Sequence, residues 1–238
     1  MEYAVDLHIH TALSPCGDED MTPNNIVNMA LLKGLDLIAI TDHNSCANLE
    51  AVIDVGRNQG IMVVPGIEVQ TKEEVHLVCL FKKLDKALEF GKLIYDSLPD
   101  IPNNEELFGR QFILNTEDQI VGKAEKLLLS SSSYSIDDVF KFVKNMEGLC
   151  IPAHVDRPGY SIISNLGFIP PNLGIQTVEF SKKETPEQNY AKMPYLRPYR
   201  YVVSSDAHYL WDISEREYLV EMEYLSIGQL FEALTIKK

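Results

Sequence analysis

The chain has 238 residues, 45% of them hydrophobic, enough for one large domain with a sizeable core. Its net charge of −14 argues against tracking a long nucleic-acid backbone, which calls for a basic groove, yet leaves small anionic substrates open because divalent ions invert the potential of an acidic site. No run reaches the roughly 18 apolar residues of a membrane span, the start Met1–Asp6 lacks a signal peptide's regions, and four cysteines without a CxxC pair are too sparse for a disulfide scaffold, so the cytoplasm is the expected compartment.

Short β-rich runs alternate with helical stretches, the pattern of an α/β fold with a largely parallel sheet. The first strand, Ala4–His8, runs into His8-Ile9-His10, where the two-residue period of a strand aims both imidazoles to one face. Thr22-Pro23 offers an N-cap and an N1 proline for a helix that Gly34 stops. The second strand, Leu37–Thr41, leads into Asp42-His43-Asn44, and Asn44 or Ser45 caps a helix ending at Gly60. The third, Met62–Ile67, ends at Glu68. A polar turn, Gln70–Glu74, precedes the fourth, His76–Phe81, so a hairpin return would bring His76 back to Glu68.

The connection from Phe81 to Leu149 is far longer than a single crossover helix needs. Leu84–Leu98 reads as a helix, Pro99–Asn104 as a loop and Gln111–Gly122 as a small hairpin around Glu117-Asp118. Ser130–Ser133 is a connector, and Ser135-Ile136-Asp137-Asp138 resembles a capping box before Val139–Met146. This insertion, approximately residues 82–148, either packs beside the main body or caps its site. The fifth strand, Leu149–Ala153, meets His154. Thr177–Phe180 is the sixth, Tyr201–Ser204 the seventh, followed by Ser205-Asp206-Ala207-His208, and Leu219–Met222 a weaker eighth. With no repeat and no composition shift, residues 1–238 read as one domain.

A lone histidine beside a strand is more often a hydrogen-bonded core residue than a ligand. Here all six lie beside strand boundaries, each paired or close to an acid, and together they point to a metal site at the strand ends. Asp6-Leu7-His8-Ile9-His10-Thr11, Thr41-Asp42-His43-Asn44, Gly66-Ile67-Glu68, His76, Ala153-His154 and Ser205-Asp206-Ala207-His208, in that order, resemble the PHP (polymerase and histidinol phosphatase) family. The resemblance implies a distorted (β/α)7, TIM-like barrel with the insertion between its fourth and fifth strands. It also implies three divalent ions: one on His8, His10, Glu68 and Asp206, a second sharing Glu68 with His76 and His154, and a third on His43, His208 and one ligand from the loop Ser14–Asp20. Cys16, Asp18 and Asp20 are candidates there. Asp18 is favoured, since oxygen matches the rest of this hard, mixed set, and Cys16 is its rival.

An imidazole–carboxylate set suits Zn, Mn or Fe. Ions sharing Glu68 would lower the pKa of a bridging water, whose hydroxide attacks phosphorus while the ions offset developing charge. Glu68, Asp206 and Arg157 are therefore the expected catalytic residues, Arg157 gripping phosphate with its guanidinium fork; Lys182, Lys183 and Arg110 are weaker candidates. The expected function is hydrolysis of a small phosphomonoester or nucleotide, with no long nucleic acid and no membrane as partner. A short-oligonucleotide phosphodiesterase or exonuclease is the first alternative, a non-catalytic, metal-stabilised binding module the second.

Overall fold

The computed structural model describes residues 1–235. Its strands are, in chain order, β1 (Glu2–Ile9), β2 (Leu37–Ile40), β3 (Met62–Gln70), β4 (His76–Leu80), β5 (Phe112–Leu114), β6 (Ile120–Lys123), β7 (Leu149–Pro152), β8 (Thr177–Ser181), β9 (Arg200–Ser204) and β10 (Leu219–Glu221). Six form one curled, open sheet in the order β10-β1-β2-β3-β4-β7, and β8 pairs with β9 in a second. The two join at both ends. Ile9 bridges Ala207 just past β9, and Val155, just past β7, donates its N–H to the Glu179 carbonyl in β8 at 2.8 Å. The result is a distorted (β/α)-type barrel, as the resemblance implies.

The sheet is less parallel than the alternation of elements suggests. β4 runs antiparallel to both β3 and β7, because the turn after Gln70 is a hairpin and not a crossover. The weak eighth strand is real and lies antiparallel on β1. Two apolar layers hold the barrel. One gathers alternate residues such as Val5, Leu37, Val64, Val78, Ile151 and Val202 with Leu230 and Phe231 of the last helix, Ile227–Thr235. The other packs Ile38, Ile40, Ile67 and Cys79 against the surrounding helices through Ile26, Val52 and Phe90.

Local signals act where the sequence puts them, with one exception. Thr22 caps the helix Pro23–Leu32, and Ser135 and Asp138 form a reciprocal capping box. The next helix, Leu49–Gln59, starts at Asn48 and not at Asn44 or Ser45. Asn44 is occupied elsewhere: its amide donates to the carbonyls of Leu128 and Ser130 at 2.8 and 3.0 Å and its Oδ1 accepts from the Gln70 N–H at 3.0 Å.

Those contacts show what the long connection does. Its helix Leu84–Ser97 buries Ala87, Phe90 and Ile94, and its hairpin, β5–β6, fits the expected turn. The hairpin lies against the loops of the strand ends: Phe112 N–H donates to the Ala12 carbonyl at 2.8 Å, and Asn48 bonds both Phe112 and Leu114. Gly109, at φ +95°, sits so close to the Pro15 carbonyl that a Cβ would lie 2.1 Å from its oxygen. The segment buttresses the loop carrying Cys16.

Candidate metal centre

Eight of the nine ligands expected from the sequence converge at the strand ends. Glu68, 1% exposed, is the hub. Its Oε1 lies 3.0 Å from His76 Nδ1 and 3.3 Å from the Nε2 atoms of His8 and His154; its Oε2 lies 2.8 Å from His43 Nδ1 and 3.6 Å from His10 Nε2. The Nε2 atoms of His8 and His10 are 3.1 Å apart, as the HxH period requires, and Asp206 Oδ1 lies 3.3 and 3.0 Å from them. Three interlocking groups of ligand atoms result: His8, His10 and Glu68; His43, Glu68 and His76; His10, His43 and His208.

The backbone strains to bring them there. Asn44, His154 and Asp206 each take positive φ, at 50°, 30° and 51°, in the turns that leave β2, β7 and β9. Such conformations cost about 1–3 kcal/mol each and persist where the surroundings over-determine them. Asp6 does so for Asp206: its carboxylate accepts from Ser205 and Ser214 N–H at 3.0 and 2.9 Å, pinning that segment across β1.

Second partners set the imidazole tautomers. Ser14 has one hydroxyl proton and gives it to Asp42 Oδ1 at 2.7 Å, so His10 Nδ1–H donates to Ser14 Oγ at 3.0 Å and its Nε2 is the free lone pair. His8 Nδ1–H donates to Glu179 Oε1 at 2.9 Å, and His76 Nε2–H to Gln70 Oε1 at 3.2 Å, leaving Nδ1 facing Glu68. His208 Nδ1–H donates to the Asp206 carbonyl at 2.8 Å.

Electrostatics favour charge on the two carboxylates and split the imidazoles: burial opposes charge on His8 and His43, but Glu179 beside the one and Glu68 beside the other outweigh it and raise both. Burial works against charge on Glu68, but His76, His8 and His43 outweigh it and hold the carboxyl well below its usual range. Burial likewise opposes Asp206, and His8 and His10 pull it well below. Burial, reinforced by the charges of His208 and His43, pushes His10 far down and keeps it neutral. A cation fits this set: His43 Nδ1 and Glu68 Oε2 face each other at 2.8 Å without hydrogen-bond geometry and have no other partner, and metal coordination answers such unmet lone pairs; His154 Nδ1 is likewise buried without a hydrogen-bond partner.

The ninth position differs from expectation. Asp18 is not drawn into the cluster: its N–H donates to the His208 carbonyl at 2.8 Å and its Oδ1 accepts from Asp20 N–H at 2.9 Å. Cys16 stands there instead, Sγ 3.1 Å from His208 Nε2. Burial raises this thiol, but His43 and His208 more than compensate and bring its pKa to about 6. Gly17 makes the tight turn that aims it, since a Cβ there would lie 2.8 Å from the Thr11 carbonyl oxygen.

Above the cluster opens a pocket of about 320 Å³, lined by His43, Glu68, His76, His154, Asp206 and His208 with Arg157, Pro158, Gly159, Tyr160 and Lys183. Arg157 Nη1 pairs with Asp206 Oδ2, so the guanidinium forms the wall beside a ligand carboxylate. Lys182 turns away to the Asp212 carbonyl, and Arg110 pairs with Glu19. None of the described residues of 82–148 lines this pocket; the segment packs against the loop that carries Cys16.

Sequence reasoning missed Glu179, Asp42, Ser14 and Tyr160. Glu179 carried a signal: it is a carboxylate in an otherwise strand-like, buried run, Thr177-Val178-Glu179-Phe180, and it is 1% exposed.

The family model of the PHP domain matches residues 6–199 of this chain. Over 80 residues the chain is 32% identical to the phosphoribosyl 1,2-cyclic phosphate 1,2-diphosphodiesterase of Eggerthella lenta, covering 32% of this chain and 29% of that one. Over 85 residues it is 35% identical to the 5′-3′ exoribonuclease Rnm of Salmonella typhimurium, covering 33% and 28%. The chain spans under half the length of such curated relatives, 18% and 44% for two from Methanocaldococcus jannaschii. Among solved structures, Endonuclease Q in complex with a 27-mer duplex carrying an abasic lesion superposes with TM-score 0.71 at 19% identity, covering 98% of this chain and 56% of that one.

That complex corrects one expectation. A long nucleic acid was excluded on net charge, yet Endonuclease Q, which contains this fold, forms a complex with a 27-mer duplex. Net charge sums the whole surface, whereas the pocket wall here carries Arg157 and Lys183, and bound cations would reverse the sign of the floor.

Proposed function

Since the chain belongs to the PHP domain family, we propose that it is a metal-dependent phosphodiesterase that cleaves short nucleic-acid strands. The carrying observation is Glu68, whose two oxygens face five imidazoles beneath an open pocket walled by Arg157. The names of the similar proteins, a cyclic-phosphate diphosphodiesterase and an exoribonuclease, favour a diester over the small monoester expected from the sequence. So does an exposed aromatic pair directly after His208: Tyr209 and Trp211 stack at 4.9 Å and 13°, the kind of platform on which unpaired bases rest.

On this reading the cluster would take three divalent ions. His8, His10, Glu68 and Asp206 would hold the first, Glu68, His76 and His154 the second, and His43, His208 and Cys16 the third. With a thiolate and six imidazoles in the set, Zn or Fe suits it better than Mn. Bound, the ions supply an activated water and offset the charge gathering on the phosphoryl oxygens.

The chain's own residues do the rest. Glu179 and the Ser14–Asp42 pair hold the His8 and His10 tautomers, so their lone pairs are committed before substrate arrives. Arg157, fixed by Asp206 and flanking the pocket, offers its remaining N–H groups to a phosphate oxygen. The four cysteines are all unpaired, with Cys79 and Cys150 only 3.8 Å apart, which supports a reducing compartment, and the cytoplasm is part of the same proposal. No helix among the described residues is long and apolar enough to cross a membrane.

The test is elemental analysis of protein purified without chelator, followed by assay on an end-labelled oligonucleotide and on a phosphomonoester. Metal-dependent cleavage of the oligonucleotide, abolished by chelation, is expected. Phosphate release from the monoester alone would return the reading to a phosphatase, and bound metal without either activity would make the site a structural one.

A further inference from the structure

Apart from the imidazoles, Tyr160 is the one aromatic ring among the described residues lining the pocket over the metal cluster, and three observations set it apart from packing. It lies flat on the ligand His76, ring centroids 4.8 Å apart and planes within 25°, and is nonetheless 51% exposed, so its outer face is free. Its backbone takes φ +57°, a conformation unfavourable for a bulky side chain. And the loop that bends it there is fastened at both ends: the Tyr160 carbonyl accepts from His76 N–H at 2.8 Å, and Ser161 Oγ donates to the Arg157 carbonyl at 2.9 Å.

One short loop thus presents a guanidinium at Arg157 and an aromatic face at Tyr160, separated by Pro158-Gly159, on opposite flanks of the cluster: Arg157 on Asp206, Tyr160 on His76. A phosphate between the ligands and Arg157 leaves its sugar and base over the Tyr160 side. We propose that Tyr160 is a stacking platform for the nucleobase next to the scissile phosphate, which makes the ligand class of this pocket a nucleotide unit and not a bare phosphate ester. The inference rests on the phosphodiesterase reading but is tested apart from it.

Two measurements serve. On metal-loaded protein, kcat/KM is compared between a short oligonucleotide and the same strand with an abasic tetrahydrofuran residue beside the cleaved bond. Separately, calorimetry compares uridine 5′-monophosphate with ribose 5-phosphate. Base stacking on an aromatic side chain is expected to favour the base-bearing partner by about five- to a hundredfold in both. Tyr160→Ala should erase that preference, read as the ratio between the base-bearing and base-free partners, and Tyr160→Phe should keep it, because the ring face and not the hydroxyl is used. A variant that slows both substrates equally, or a wild type without preference, overturns the proposal and reduces Tyr160 to a cover for His76. If the wild type cleaves no diester but binds uridine 5′-monophosphate with a preference lost in Tyr160→Ala, the stacking platform stands and the phosphodiesterase reading falls.

Discussion

The two sides of Glu68 are built differently. On the inner side, His8 and His10 are fully buried, the second nitrogen of each is tied to Glu179 or Ser14, and Asp206 closes the group. On the outer side, His208 is 22% exposed, Cys16 lies at the surface, and the buried Nδ1 of His154 has no partner at all. The inner group is organised before any cation arrives, so binding there does not have to order side chains. The outer groups face the pocket and keep atoms unmet. The contrast suggests tight, slowly exchanging metal inside and weaker, exchangeable metal at the rim.

Glu68→Gln erases the distinction and should have the largest effect. The amide keeps the shape but halves the acceptors, and its NH2 group would donate to the imidazole lone pairs it faces, withdrawing them from a cation. Elemental analysis should show metal lost from both sides and no detectable hydrolysis, with circular dichroism reporting whether the barrel persists. Retention of the full metal complement would mean that Glu68 is not shared.

Glu179→Gln sharpens the comparison by loosening chiefly the inner side, since its Oε1 orients the His8 ring at 2.9 Å and touches the outer side only through the His154 backbone N–H at 3.1 Å. Substituting a carboxylate that orients a ligand imidazole lowers metal affinity by about 10- to 100-fold. Competition against a chromophoric chelator should show the larger drop for the tightest ion. An equal drop across all ions would make the two sides one cooperative unit.

How far the sequence carried this picture depends on the range of the interaction that decides each feature. HxH spacing, caps and the Gln70–Glu74 turn are local, and they led directly to the His8–His10 pair and the return of His76 to Glu68. Glu179 reaches His8 across 171 positions, and nothing near Thr177–Phe180 points to it beyond its charge. The antiparallel course of β4 follows from the same hairpin that was recognised, although the sheet was expected to be largely parallel. Tyr160 went unnoticed because its place depends on a loop closing back onto β4.

Arg157→Ala tests the wall between the two sides. A charged hydrogen bond to phosphate is worth roughly 1.5–3 kcal/mol, so kcat/KM should fall about ten- to a hundredfold. Because Arg157 also holds Asp206, the innermost ion should exchange faster in chelator competition. Arg157→Lys should restore part of the rate, since a point charge lacks the planar fork. Faster exchange with unchanged kinetics would assign Arg157 to Asp206 alone.

The smallest effects fall on the rim loop, where Cys16 and Asp18 sit two residues apart. Cobalt-loaded wild type should show a sulfur-to-metal charge-transfer band in the near ultraviolet, and Cys16→Ser should remove it together with part of the most weakly held metal. Bound metal should also shield Cys16 from alkylation. Asp18→Ala should do neither. Its side chain only caps the Asp20 N–H on a partly exposed turn, and its contact with His208 runs through backbone, which alanine keeps. Loss of stability should stay near about 0.5 kcal/mol, as for most surface substitutions. The opposite pattern, with the band surviving in Cys16→Ser and an ion lost in Asp18→Ala, would require the loop to turn over on metal binding. The tight fit of Gly17 against the Thr11 carbonyl opposes that movement. A carboxylate at Cys16 is the sharper control: Cys16→Asp should recover the metal without the band, because the position and not the sulfur makes it a ligand.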